Sequence, residues 1–213
     1  KLGKYAKAFI VHDDELLPHF SQELKPYIVP LRIEPERFTP EYPDPAKGKV
    51  TIVHAPSNRG VKGTKYIHSA VENLKKKYDI EYILVENMTQ NEAFKEYQKA
   101  DIIVDQILGG SYGVFSIEAM AMGKPVITYI TDEMIKTFPD ELPIVSASPL
   151  NIQEEIEKLI NDGQIRHDLG VKGRKYIETY HDCKKNAKVI AKIYEGTANK
   201  TKGKDAFEEV KEL

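Results

Sequence analysis

Between residues 50 and 180 the chain alternates short runs that are apolar on both faces with longer segments that are apolar on one face only. The runs that read as strands are Val50-Thr51-Ile52-Val53-His54-Ala55, 80–85, 101–105 and 125–130, with a shorter one at Leu142-Pro143-Ile144-Val145; of these, Tyr82-Ile83-Leu84-Val85, Ile102-Ile103-Val104 and Pro125 to Ile130 are apolar on both faces. Runs of this length read as strands, and strands apolar on both faces are those of a sheet covered on both sides by helices. The intervening stretches predict helices over 64–77, 90–99 and 114–122, and further helices follow over 150–161, 164–179 and 183–196. In the first of them Ile67, Ala70, Val71 and Leu74 recur at helical spacing with lysines opposite. Strand–helix alternation implies βαβ units, so the fold class is α/β: a Rossmann-like, mainly parallel sheet with helices on both faces.

The flanks differ from this pattern. Ala8-Phe9-Ile10-Val11 predicts a short buried strand, and Asp13 and Asp14 would cap a helix over 14–24. Tyr27-Ile28-Val29-Pro30-Leu31 is another extended stretch. Pro35, Pro40, Pro43, Pro45 and Gly48 then crowd a segment that suits neither helix nor sheet, which marks 31–49 as a linker. The expected division is 1–30 as part of a preceding domain, 31–49 as linker, 50–180 as the main domain, and 181–213 as a closing helix with a charged tail that is either a surface helix or unstructured.

The net charge of −2 sets up no global field toward nucleic acid or an anionic membrane. Cys183 is the lone cysteine, so no intrachain disulfide or cysteine-rich metal site can form, in keeping with a reducing compartment. The six histidines are scattered without metal-ligand spacing. No run is long and apolar enough for a transmembrane helix, and no signal peptide is recognisable. The first residue is not methionine, as expected of a fragment or a processed chain.

In an open α/β sheet, ligands bind beyond the carboxyl ends of the strands. Two loops in that position carry unusual residues. In Ser57-Asn58-Arg59-Gly60-Val61-Lys62-Gly63 the glycines Gly60 and Gly63 allow close backbone approach, and Arg59 and Lys62 bring positive charge to the start of a helix. That combination suits a diphosphate, and the competing interpretation is a solvated turn. Gly109-Gly110-Ser111-Tyr112-Gly113 opens the helix that carries Glu118 in small and apolar surroundings. A carboxylate there needs a partner, either a ligand hydroxyl or a nearby Lys or Arg. His54 either touches phosphate or is structural, Asp105 and Gln106 are strand-end polar residues, and Tyr176, Tyr180 and Tyr194 are expected to pack.

Gly113 to Val126 (Gly-Val-Phe-Ser-Ile-Glu-Ala-Met-Ala-Met-Gly-Lys-Pro-Val) resembles the corresponding helix of family-four (group 1) retaining glycosyltransferases with the GT-B fold. His54 to Gly63 resembles their basic phosphate loop, Ala100 to Val104 the strand before their glycine loop, and Tyr27 to Thr39 their interdomain linker. The likeness spans about 27–180 in the right order. It implies a C-terminal, nucleotide-sugar-binding domain of a hexosyltransferase-type enzyme whose acceptor domain, of which 1–30 is a remnant, lies outside this chain. It further implies a UDP- or GDP-type sugar donor, transfer with retention, no essential metal or other cofactor, and no nucleic-acid partner. The acceptor (a glycan, a lipid-linked sugar or a small molecule) is left open. A cytoplasmic location is expected, with peripheral membrane association open.

By the same resemblance, Arg59 and Lys62 neutralise the departing diphosphate. Ser57, Gly60, Gly63 and the backbone of Gly110, Ser111, Tyr112, Gly113 and Val114 approach phosphate or sugar. Asn87 and Met88 flank the base, and Glu118 accepts from the ribose hydroxyls. One departure stands out. The family often has two glutamates with seven residues between them, and the first falls on Gly110, with Asp105 as a candidate substitute. That departure sustains a second reading, a non-catalytic nucleotide-sugar-binding or scaffolding module. A dinucleotide-dependent oxidoreductase is a third, opposed by the lack of Gly-x-Gly-x-x-Gly after the first strand.

Overall fold

The computed structural model describes residue 6, residues 8–21 and residues 24–213. Its centre is a five-stranded, wholly parallel sheet in the order β4-β3-β5-β6-β7. The strands are β3 (Val50–His54), β4 (Ile80–Leu84), β5 (Ile102–Val104), β6 (Val126–Thr128) and β7 (Ile144–Ser146). Every residue of β3, β5 and β6 is buried, as expected where helices cover both faces. On one face α2 (Thr64–Leu74) and α6 (Ile152–Asn161) pack around Ile52, Ile102, Val104 and Ile127. On the other, α3 (Gln90–Lys99), α4 (Val114–Ala121) and α7 (Gly163–Tyr180) close over Val53, Ile103 and Val126. The chain leaves β3 toward β4 and leaves β5 toward β6, so the connections diverge between β3 and β5. That divergence opens a crevice at the carboxyl ends of these two strands.

Helix α4 is buried at Ser116, Ile117, Ala119, Met120 and Ala121 because it lies between the sheet and α7. The contact is close enough to exclude a side chain. A Cβ on Gly170 would stand 2.2 Å from the carbonyl oxygen of Gly123. Alanine gains roughly 1 kcal/mol of helix propensity over glycine, but forcing atoms into a backbone contact costs more. Gly170→Ala should therefore destabilise the chain by about 2 kcal/mol net, seen as a lower urea midpoint at unchanged slope. A raised midpoint would mean that α7 can slide away from Gly123.

A second, separate pair of parallel strands, β1 (Ile10–Val11) and β2 (Tyr27–Ile28), precedes the main sheet. Two terminal helices, α8 (Cys183–Glu195) and α9 (Lys204–Lys211), return to it. Val189, Ile193 and Val210 pack on Val29, and Ala206 packs with Val11 and Ile28. The proline-rich segment is a strap tied down along its length. Ile33 bridges Asp182, and Arg174 donates to the carbonyls of Pro35 and Phe38 at 3.0 and 2.7 Å.

Several local expectations are corrected. The segment expected as a helix over 14–24 is a 3-10 turn, Asp14–His19, capped by Asp13 and containing Pro18, which cannot donate into an α ladder. Residues 22 and 23 lie outside the described residues. The loop expected at 56–63 contains a helical turn, α1 (Arg59–Lys62), and an unpredicted turn, α5 (Asp132–Ile135), follows β6. Of the two alternatives for the tail, its end is the helical one, docked with Phe207 edge-to-face against Phe138, Tyr180 and His181. Tyr176 and Tyr180 are buried as expected, but Tyr194 is 85% exposed and packs on nothing.

Candidate functional site

Three loops meet at the crevice, those after β3, β4 and β5, and ion pairs pin them together. Lys62 Nζ donates to Asp105 Oδ1 at 2.6 Å, which joins α1 to the end of β5. The second oxygen of Asp105 accepts from Ser116 Oγ at 2.7 Å, which adds the first turn of α4. The Ile107 amide donates to the Lys62 carbonyl at 3.2 Å, so backbone and side chain hold the same junction. Arg59 forks onto Glu86, with Nε 2.7 Å from Oε1 and Nη2 on Oε2, which ties α1 to the loop after β4. The Arg59 hydrogen bonds hold the Glu86 carboxyl below its usual range.

Asparagine shapes the first loop. Asn58 Oδ1 accepts from the amides of Gly60 and Val61 at 2.9 and 3.1 Å. The amides of Gly60 and Val61 are thus satisfied within the chain and are not free for a ligand. Gly63 ends α1 with φ 77, and a Cβ there would lie 2.6 Å from Ile107 Cγ1. Glycine is required at that position for the turn and its packing. Ser57 and Gly60 are exposed at the rim. His54 is fully buried and structural: Nδ1 faces the Val104 carbonyl at 2.8 Å, and Nε2 faces Thr64 Oγ1 at 2.8 Å. Burial lowers its pKa, which favours the neutral ring with the proton on Nδ1 and the Thr64 hydroxyl as donor to Nε2.

In the second loop the side chains turn inward. Ser111 Oγ donates to Asp13 Oδ2 at 3.1 Å, and Gln106 Nε2 donates to the Ser111 carbonyl at 2.6 Å. Tyr112 is buried, with its hydroxyl 3.1 Å from His181 Nε2 and 3.3 Å from the Tyr176 hydroxyl. Ser111 and Tyr112 therefore offer a ligand their backbone. Gly113 caps α4 without a side chain, so the first-turn amides of that helix have no capping group. Val114 is exposed beside them. A Cβ on Gly110 would lie 3.2 Å from Thr131 Cγ2, so the position is crowded even for a small side chain.

Glu118, just over one turn into α4, is half-buried and its carboxyl is pushed up by desolvation. Among the described residues it has no ion pair and no hydrogen-bond partner, so the salt bridge considered from the sequence does not form. Burial, then the nearby Glu118 and Asp105 carboxylates, raise the Tyr97 hydroxyl to about 12. After β4, Asn87 adopts a left-handed backbone (φ 56) and Met88 is exposed. The site thus brings together Arg59, Lys62, the start of α4 and Glu118, with Asn87 and Met88 on the β4 side.

Sequence reasoning missed Glu86, Ser116 and Asp13 as members of this network. Glu86 had a local signal, a carboxylate directly after a doubly apolar strand. Asp13 and Ser111 are 98 residues apart, and no spacing announces their contact.

No family model matches the chain, and no curated protein is significantly similar to it in sequence. Solved structures do match in fold. Sucrose-phosphate synthase from Thermosynechococcus elongatus superposes with a TM-score of 0.69 at 18% identity, over 90% of this chain and 58% of that one. HepE from Anabaena, solved in complex with UDP, gives 0.70 at 12% identity, over 92% and 65%. The C-terminal domain of a group 1 family glycosyl transferase, LpcC from Francisella tularensis, gives 0.54 at 20% identity, over 71% of this chain and 99% of that domain. The chain has the Rossmann-like fold of GT-B glycosyltransferase domains, and it spans less than two thirds of the length of the first and second of these relatives.

Proposed function

We propose that this fold serves here as the donor half of a two-domain GT-B glycosyltransferase, binding a nucleoside-diphosphate sugar for transfer with retention. In this reading 1–30 is the remnant of the acceptor domain, 31–49 is the interdomain strap and 50–180 is the donor domain. The observation that carries it is the composition of the crevice. Lys62 is tied through Asp105 to the first turn of an uncapped helix, Arg59 stands on the same short turn as Lys62, and just over one turn into that uncapped helix a half-buried carboxylate has no partner among the described residues. A nucleoside diphosphate supplies what each group lacks: phosphate for Arg59, Lys62 and the α4 amides, and ribose hydroxyls for Glu118. The UDP bound to HepE, whose fold this chain shares, supports that reading. Negative charge grows on the departing diphosphate, so fixed cations and dipoles there act on the transition state.

Calorimetric titration with UDP, GDP, ADP and NAD tests this directly. One nucleoside diphosphate should bind, and Glu118→Ala should weaken it by roughly tenfold or more, the loss expected when a charged hydrogen-bond acceptor is removed. Absence of binding by a chain shown to be folded would refute the donor-site reading, and preference for NAD would favour an oxidoreductase.

The second reading, a binding module without turnover, draws on Gly110. With glycine at 110, no carboxylate meets the transferred sugar from that position. Turnover of a donor by the full-length parent would exclude it.

A further inference from the structure

Both cations of the α1 turn are held by carboxylates, but in different surroundings. The Lys62 side chain is 14% exposed and its partner Asp105 is completely buried, with Ser116 on the other oxygen. The Arg59 side chain is 64% exposed and that of Glu86 23%. Counting Glu118, the crevice sets two cations against three carboxylates, so it presents no net positive charge to an incoming polyanion.

A diphosphate can gain a cation only if one of these pairs opens. Opening Lys62–Asp105 would strand a buried carboxylate, which is costly. Opening Arg59–Glu86 returns Glu86 to solvent, where an ion is well hydrated and the lost pair is worth little. The fork of Arg59 on two carboxylate oxygens is also the geometry a guanidinium uses for two phosphate oxygens.

We propose that Glu86 is a built-in stand-in for the donor diphosphate: it holds Arg59 in the empty crevice and is displaced when the diphosphate binds, while Asp105 keeps Lys62 fixed. This rests on the donor-site reading above. Glu86 lowers affinity by competing for Arg59, and it keeps the guanidinium directed at the crevice mouth until a ligand arrives.

The test is calorimetric titration of UDP, GDP and ADP into the whole chain and into Glu86→Gln, Arg59→Ala and the double variant. Both positions are on the surface, so circular dichroism should be unchanged. Glu86→Gln should tighten the nucleoside diphosphate that binds by about two- to fivefold, the scale of an exposed ion pair. On the Arg59→Ala background the same substitution should have no effect. Unchanged or weaker binding by Glu86→Gln would overturn the stand-in and leave the donor site intact. An equal gain without Arg59 would also overturn it, since the effect would then be one of general charge. If no variant and no parent chain binds any of the three, the donor-site reading falls and the stand-in falls with it.

Discussion

Lys62→Ala should lower the stability of the chain by about 3–5 kcal/mol, the usual result of removing one partner from a buried ion pair. For a chain of this size that is a fall of roughly 10 °C in Tm. The reason is what the substitution leaves behind. Asp105 is completely buried at the end of β5 and keeps only the Ser116 hydroxyl as a side-chain donor once the ammonium is gone. Removing the other partner is less severe, because Lys62 retains some exposure and its long side chain can reach water. Replacing both, as Lys62→Met with Asp105→Leu, should recover most of the loss, since a buried pair is often no better than well-packed apolar groups. Urea unfolding of the three variants measures all of this. If Lys62→Ala unfolds within about 1 kcal/mol of the parent, Asp105 is not the anchor of α1, and the fixed half of the phosphate-loop arrangement is wrong.

The parts of the fold that could be read from the sequence are those with local signals. Helix α3 was legible at both ends because Thr89 and Glu92 form a capping box and Ala100-Asp101 begins the next apolar run. Strand β5 was legible because burial on both faces leaves an uninterrupted apolar run, and β3 because its run is mostly β-branched. Short turns such as α5 carry too few residues for periodicity to register. Tyr194 shows the limit of helical spacing: Ile190 and Ile193 flank it, yet α8 docks through Val189 and Ile193, and the tyrosine lies just off that stripe. At the site, the glycines and cations after β3 and the glycines after β5 pointed to these two loops, and the structure joins them through Lys62 and Asp105. The sequence could not show which of those groups are already satisfied. Asn58 takes the amides of its own turn, and Asp105 and Glu86 occupy the cations from other loops. These are tertiary pairings, and they decide how the crevice meets a ligand.

His181 predicts a marked acid sensitivity centred on the same loop. The ring is buried at the end of α7, where the Leu31 carbonyl lies 2.5 Å from Nδ1 and the Tyr112 hydroxyl 3.1 Å from Nε2. A carbonyl only accepts, so Nδ1 carries the proton, Tyr112 donates to Nε2, and Tyr176 donates to Tyr112. One neutral ring thus ties the strap, the glycine loop and α7 together, and a second ring proton would break the bond from Tyr112. Burial accordingly lowers the His181 pKa from 6.5 to about 4. The unfolded chain therefore binds a proton between about pH 6.5 and pH 4 that the folded chain does not, and stability falls as pH falls through that window. At ~1.4 kcal/mol per pH unit, the gap between 6.5 and about 4 corresponds to roughly 3 kcal/mol, present in full at neutral pH and gone near pH 4. His54, buried and lowered in the same direction, adds to the slope. The Glu36 and Glu86 carboxylates, held below their usual range by Lys184 and Arg59, contribute only at lower pH. Denaturant midpoints taken from pH 7 to pH 4.5 should therefore fall steeply for the parent. His181→Asn, which can still donate to Leu31 from the position of Nδ1 but gives up the bond from Tyr112 and does not titrate, should be less stable at neutral pH and show a shallower fall. An identical slope in both would assign the acid sensitivity to His54, with the glycine loop then held independently of the charge on His181.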